Sequence, residues 1–181
     1  MMTPPRLLAL MLAVSFLGSF AHADSLTQPQ RVSIAPDETL PVADRIIVHK
    51  AQRRLDLMHG YTVLRSYRVE LGLNPIGQKE RSGDFRTPEG VYYLSRRNAR
   101  SDFFLSVQVS YPNEVDQARA RRNHWDTGGS IMIHGLPNTL KHPPQYYESH
   151  DWTDGCIAVS NSDMVEIWLL TPDNVPIEIR P

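Results

Sequence analysis

Apolar and polar positions alternate along residues 45–60 through Ile46, Val48, Leu55 and Leu57. The alternation resumes over 61–72 through Val63, Tyr67, Val69 and Leu71. A period of two belongs to a strand with one covered face, and His59-Gly60 between the two runs supplies a turn, so this segment predicts a β-hairpin. Shorter apolar runs at 92–94, 103–109, 131–134 and 156–159 predict further strands, and Val175, Ile177 and Ile179 predict a last one. The clearest helix is 163–170, with Asp163 as its cap, Glu166 three residues later and Pro172 beyond its end. Residues 136–152 hold Pro137, Pro143 and Pro144 together with Tyr146, Tyr147 and Trp152, and read as a long loop. No internal repeat is visible, so the pattern predicts one mostly β domain with few helices over 45–181.

The beginning of the chain follows another pattern. One basic residue, Arg6, precedes a largely apolar run over 7–20, and Ala21-His22-Ala23 then offers a small-x-small cleavage site. That order predicts a secretory signal peptide over 1–23. The run is too short for a membrane span, which needs about 20 apolar residues. Stable membrane insertion is therefore not expected after cleavage. Residues 24–44 are polar with three prolines and read as an extended leader.

Composition narrows the function. The 181 residues carry 19 Lys+Arg against 20 Asp+Glu, and this near-neutral balance argues against a nucleic-acid partner. A single Cys excludes an internal disulfide and a zinc site built on several thiolates. The segment from Gly72 to Lys79 has the look of a phosphate loop, but Gln78 and Glu80 break the Gly-Lys-Ser/Thr order such a loop needs. Two arginine groups, Arg96, Arg97, Arg100 and Arg119, Arg121, Arg122, read as solvated surface. His134, His142 and His150 are evenly spaced, but the prolines between them forbid a helix that would stack them on a metal.

In an exported chain the lone Cys156 is a buried spectator, half of an intermolecular bridge, or a reactive thiol. Its surroundings, Trp152-Thr153-Asp154-Gly155-Cys156-Ile157, match a strand start, and His134-Gly135 stands at the end of another apolar run. An imidazole near a thiol removes the limit set by the thiol's high pKa. Gly135 and Gly155 have no Cβ and would let a substrate backbone approach, and the N–H groups near Gly155 and Cys156 could serve an oxyanion. Spacing alone leaves both an acyl-transfer site and a structural Cys open.

On these residues the chain resembles the L,D-transpeptidase catalytic domain family, also called YkuD. That family shows His-Gly, a variable stretch, then Ser/Thr-x-Gly-Cys and an apolar residue, as do His134-Gly135 and Thr153-Asp154-Gly155-Cys156-Ile157 here. Upstream, Gly72-Leu73-Asn74-Pro75-Ile76-Gly77-Gln78-Lys79 and Thr87-Pro88-Glu89-Gly90-Val91-Tyr92 are similar to its Gly-x-x-Pro-x-Gly-x-Lys and Thr-Pro-x-Gly-x-Tyr segments. The resemblance implies a curled β-sandwich or barrel-like fold and acyl transfer on peptidoglycan stem peptides in the periplasm or cell envelope. Cys156 would be the nucleophile and His134 the base, with Gly135, Thr153, Asp154 and Gly155 around substrate and oxyanion, and no cofactor or metal.

Asp154 stands where many members have His, and Ala158 where many have Arg or Asn. These departures place the chain in a divergent branch. They leave hydrolysis of the same or a wall-linked peptide bond as the alternative to transfer, and a wall-binding module with an inert Cys as the reading of a different class.

Overall fold

The computed structural model describes residues 41–181. The predicted signal peptide and most of the predicted leader lie outside these residues. Eight strands form one mixed sheet: β1 (Arg45–His49), β2 (Arg54–His59), β3 (Thr62–Arg68), β4 (Gly90–Ser101), β5 (Phe104–Val109), β6 (Met132–His134), β7 (Ile157–Ala158) and β8 (Pro176–Arg180). Three α-helices accompany them: α1 (Glu114–Asn123), α2 (Pro144–Tyr147) and α3 (Asn161–Leu170). The spatial order is β3-β2-β1-β8-β4-β5-β6-β7. Most neighbours are antiparallel, whereas β1 with β8 and β6 with β7 are parallel. The mostly β architecture expected from the alternation is the one observed.

Long β4 curls the sheet. Its first half pairs with β8 and its second half with β5, with register shifts after Leu94 and Asn98 that bend the strand. The sheet is not closed, yet the segment after β3 bridges to the β7 edge: the Glu70 N–H donates to the Ala158 carbonyl at 3.0 Å, and the Ala158 N–H to that of Glu70 at 2.8 Å. This contact brings the segment after β3 alongside β7. Inside the curl, Ile46, Leu57, Leu94, Ile133, Ile157 and Ile177 are all fully buried, each burial contributing about 1.5–3 kcal/mol.

Several local expectations are corrected. Residues 45–60 form two strands, because a 3-10 turn over Lys50–Gln52 and a left-handed Arg53 break the run. The turn lets the buried Lys50 ammonium donate to the carbonyls of Gly77 (2.7 Å) and Thr87 (2.9 Å) and to Glu89 Oε1 (2.8 Å). Lys50 is thus satisfied where the alternating pattern alone would continue the strand. The last helix begins two residues early, and its cap is Ser160, whose Oγ accepts from the Asp163 N–H; Asp163 is the third helical residue.

Helix α1 was not expected, since its exposed polar residues show no apolar stripe. Its signal is the capping box of Asn113 and Asp116. The loop 136–152 contains the single turn α2, begun by Pro144. The packed structure also includes Ala43, assigned above to the leader: it is fully buried, and its N–H donates to the Leu170 carbonyl at 2.7 Å.

Candidate active site

Strands β6 and β7 run parallel with Ile133 opposite Ile157 and His134 opposite Ala158. Because side chains alternate between faces, the two isoleucines share the core face, while His134 and Cys156 fall on the other. That face opens on a cleft of about 740 Å³ whose lining includes Lys79, Phe103, Ser130, His134, Trp152, Asp154 and Cys156. Neighbouring strand ends thus bring the two chemically significant segments of the sequence to one cleft.

The state of His134 follows from its contacts. Its Nδ1 lies 2.7 Å from the Gly135 carbonyl; a carbonyl only accepts, so Nδ1 carries the proton and Nε2 is left as an acceptor. The rings of Phe103 and Trp152 stand 4.6 and 5.6 Å from the imidazole, and the side chain is buried. Desolvation pulls its pKa down to about 4, against the opposing pull of the Gly135 carbonyl. At neutral pH it is an uncharged imidazole with one lone pair available.

Cys156 is half-buried and its thiol donates to the Ser130 carbonyl at 3.6 Å. Burial pushes its pKa up, and the Asp154 carboxylate adds to the rise, while the Met132 backbone and the Lys79 ammonium act the other way. The resting pair is therefore neutral thiol and neutral imidazole.

Thr153 organises the turn before Cys156. Its buried hydroxyl accepts from the Gly155 N–H at 3.1 Å and donates to the Cys156 carbonyl at 2.8 Å. Its backbone is tied to Leu71 and Leu73 at 3.1 and 3.0 Å. The Gly155 amide, expected near an oxyanion, is held by Thr153 instead.

Gly155 itself adopts φ +132°, and a Cβ there would stand 2.6 Å from the Arg86 carbonyl oxygen. Its lack of a side chain serves close packing of two chain segments. Gly135 is likewise enclosed: its N–H points to the carbonyls of Phe103 (3.1 Å) and Leu105 (3.2 Å), and a Cβ would meet Asn161 Oδ1 at 2.5 Å. Asp154 alone of this group is exposed, at the cleft wall.

Phe103, Trp152 and Lys79 are among the lining residues for which sequence reasoning named no role. Phe103 and Trp152 flank His134 from distant parts of the chain, and together they separate the cleft from a second pocket of about 280 Å³ lined by Lys141, His142, Tyr146 and Tyr147. Trp152 adjoins the Thr153 motif, which was its only signal. Lys79 was visible as the end of a motif but without a role. Of the arginines read as solvated surface, Arg97 instead binds Asp173 at 2.8 Å and the Trp168 carbonyl at 2.8 Å. Among the described residues, no group of three or more His, Cys, Asp or Glu side chains could hold a metal ion.

A mixed, curled sheet that brings a His-Gly strand end and a Thr-x-Gly-Cys turn to one cleft defines the class of protein. The L,D-transpeptidase catalytic domain (YkuD) model matches residues 43–179, and the chain belongs to that family.

Among curated relatives it is 29% identical over 175 residues to YafK of Escherichia coli K12, provisionally named an L,D-transpeptidase. The match covers 90% of this chain and 63% of YafK, so the chain spans less than two thirds of that relative's length. The fold is shared with the helical cell shape determining protein Pgp2 of Campylobacter jejuni (TM-score 0.59, 23% identity, 75% of this chain and 46% of Pgp2). It is shared also with Bd1075 of Bdellovibrio bacteriovorus (TM-score 0.53, 25% identity, 79% of this chain and 50% of Bd1075). No helix among the described residues is long and apolar enough to cross a membrane.

Proposed function

We propose that this protein is an exported cysteine acyltransferase acting on peptidoglycan stem peptides. The observation that carries the reading is a neutral His134, its Nε2 unprotonated, lining the same cleft as the Cys156 thiol. Cys156 Sγ attacks the carbonyl between the L-centre of a diamino acid and the following D-residue, while His134 Nε2 takes the thiol proton. The tetrahedral oxyanion is met by the Cys156 amide, since Thr153 holds that of Gly155. Collapse breaks the C–N bond, and His134 returns its proton to the departing amine. An amine of a second stem then attacks the thioester, forming an amide crosslink and restoring the thiol.

Concerted proton removal suits a raised thiol pKa: no resting thiolate has to be stored in a half-buried site. A second reading is supported by Asp154. Its exposed carboxylate at the cleft wall can orient water toward the thioester, giving hydrolysis in place of transfer.

The test is incubation of the protein with purified muropeptides, with and without an added D-amino acid, and product masses read by mass spectrometry. Transfer yields the D-amino-acid-exchanged or crosslinked product, and hydrolysis the shortened stem. Cys156→Ala is expected to abolish both while leaving the circular dichroism spectrum unchanged. Turnover surviving in that variant would refute the assignment.

A further inference from the structure

We propose that Lys79 is a positioning residue for the nucleophile, its ammonium supplying the fixed positive charge that holds a thiolate at Cys156 as the thiol loses its proton. This rests on the reading of Cys156 as the nucleophile.

The geometry is that of a buried, polarised ion pair. Lys79 is 3% exposed, and its Nζ donates to Asp84 Oδ1 at 2.6 Å and to the Arg81 carbonyl at 3.1 Å. Asp84 is enclosed on its other sides by the backbone N–H groups of Glu80 (2.7 Å), Arg81 (3.1 Å) and Arg86 (3.1 Å). The two ends of the pair are not equivalent toward the site. Lys79 lines the cleft that holds Cys156, and Asp84 does not. The carboxylate's charge is spread over four donors, whereas the ammonium has three N–H groups and uses two on the protein. The positive end is thus presented to the cleft.

The loop carrying this pair is locked to the nucleophile turn. The Arg86 carbonyl packs on Gly155, and a Cβ on Gly72 would stand 3.0 Å from the Gly155 Cα. Lys79 is therefore held in a fixed relation to Cys156, as electrostatic preorganisation requires. The charged or titratable groups lining the cleft are Lys79, Arg100, Asp102, His134, Asp154 and Cys156. Of these, Asp154 disfavours the thiolate and Lys79 favours it. His134 is neutral at rest, and of the two cations on the cleft Lys79, not Arg100, is among the charges that act on Cys156, so Lys79 supplies the opposing positive charge before proton transfer begins. The cationic end of a neutral pair achieves this without leaving an uncompensated ion in the interior.

The experiment follows the pH dependence of Cys156 alkylation by iodoacetamide in the whole protein. It compares the parent with Lys79→Met, Lys79→Arg and Asp84→Asn, and folding is checked by circular dichroism. In Lys79→Met the labelling midpoint is expected to rise, and the rate at pH 7 falls about tenfold when the midpoint climbs by a full pH unit. Lys79→Arg restores it. An unmoved midpoint in folded Lys79→Met overturns the proposal.

Should Lys79→Met fail to fold, Asp84→Asn carries the test, because it removes the counter-charge and keeps the cation. A lower midpoint supports the role of Lys79, and an unchanged or higher one overturns it. Alkylation needs no peptide substrate, so failure of the acyltransfer reading with muropeptides leaves this result standing. Preserved turnover with an unmoved midpoint removes only Lys79.

Discussion

The hydroxyl of Thr153 donates to the carbonyl of Cys156 at 2.8 Å and accepts from the Gly155 N–H at 3.1 Å. One side chain therefore closes the turn that presents the thiol. Thr153→Val keeps the shape but strips both bonds, leaving a buried N–H without a partner. The expected loss is about 1–3 kcal/mol, read by urea denaturation, with turnover falling more than stability accounts for. Thr153→Ser is expected to restore both. Equal turnover in the Val variant would show that the turn holds without the hydroxyl.

Gly155 joins that turn to the loop before β4. A Cβ there meets the Arg86 carbonyl oxygen at 2.6 Å, and φ is +132°. Gly155→Ala is expected to cost at least about 1–3 kcal/mol from backbone strain alone and to leave Cys156 labelled at a rate closer to that of the unfolded chain. Parent-like stability and labelling would mean that the two segments separate easily.

The pH dependence of stability bears on His134, whose pKa falls from 6.5 to about 4 on burial. Above about pH 6.5 both folded and unfolded chains hold it neutral, and it adds no pH dependence. As pH falls toward 4, the unfolded chain binds a proton that the folded one refuses. Stability is therefore lost across that window, by up to about 3 kcal/mol. Urea titrations at pH 7.5 and 4.5 on the parent and on His134→Phe check this. The variant is expected to lose less stability between the two pH values, and equal losses would place the buried imidazole in a protonated state.

Asp154 lies two residues before Cys156 and works against its thiolate. Asp154→Asn and Asp154→His are expected to lower the midpoint of thiol labelling. Both are also expected to shift products from hydrolysis toward transfer when a D-amino acid is supplied to a stem tetrapeptide. If neither quantity moves in either variant, the carboxylate is a turn residue alone.

One strand face was legible from the alternation, since Ile46, Val48, Leu55 and Leu57 are all buried as their spacing implies. Ile47, Asp56 and Met58 on the opposite face are covered too, however, and Val63 of β3 is exposed. Less was legible where structure depends on polar contacts. Helix α1 has an almost wholly polar surface, so its capping box was the only local sign. The break at Lys50–Gln52 exists because distant carbonyls and Glu89 satisfy Lys50, and none of them is near it in the chain.

The sequence by itself determined the mostly β character, the His134-Gly135 and Thr153-to-Cys156 motifs and the family they resemble, since each lies in a short stretch whose residue types carry the signal. Tertiary structure decided what those residues touch. The parallel register of β6 and β7 put His134 and Cys156 on one cleft, and Phe103 and Trp152 arrived from separate segments to desolvate the imidazole. The close approach of Arg86 and Gly72 to Gly155 turned a glycine expected near substrate into a packing contact. Charge and steric effects act through space, so protonation states and close contacts depend on which distant segments the fold brings together.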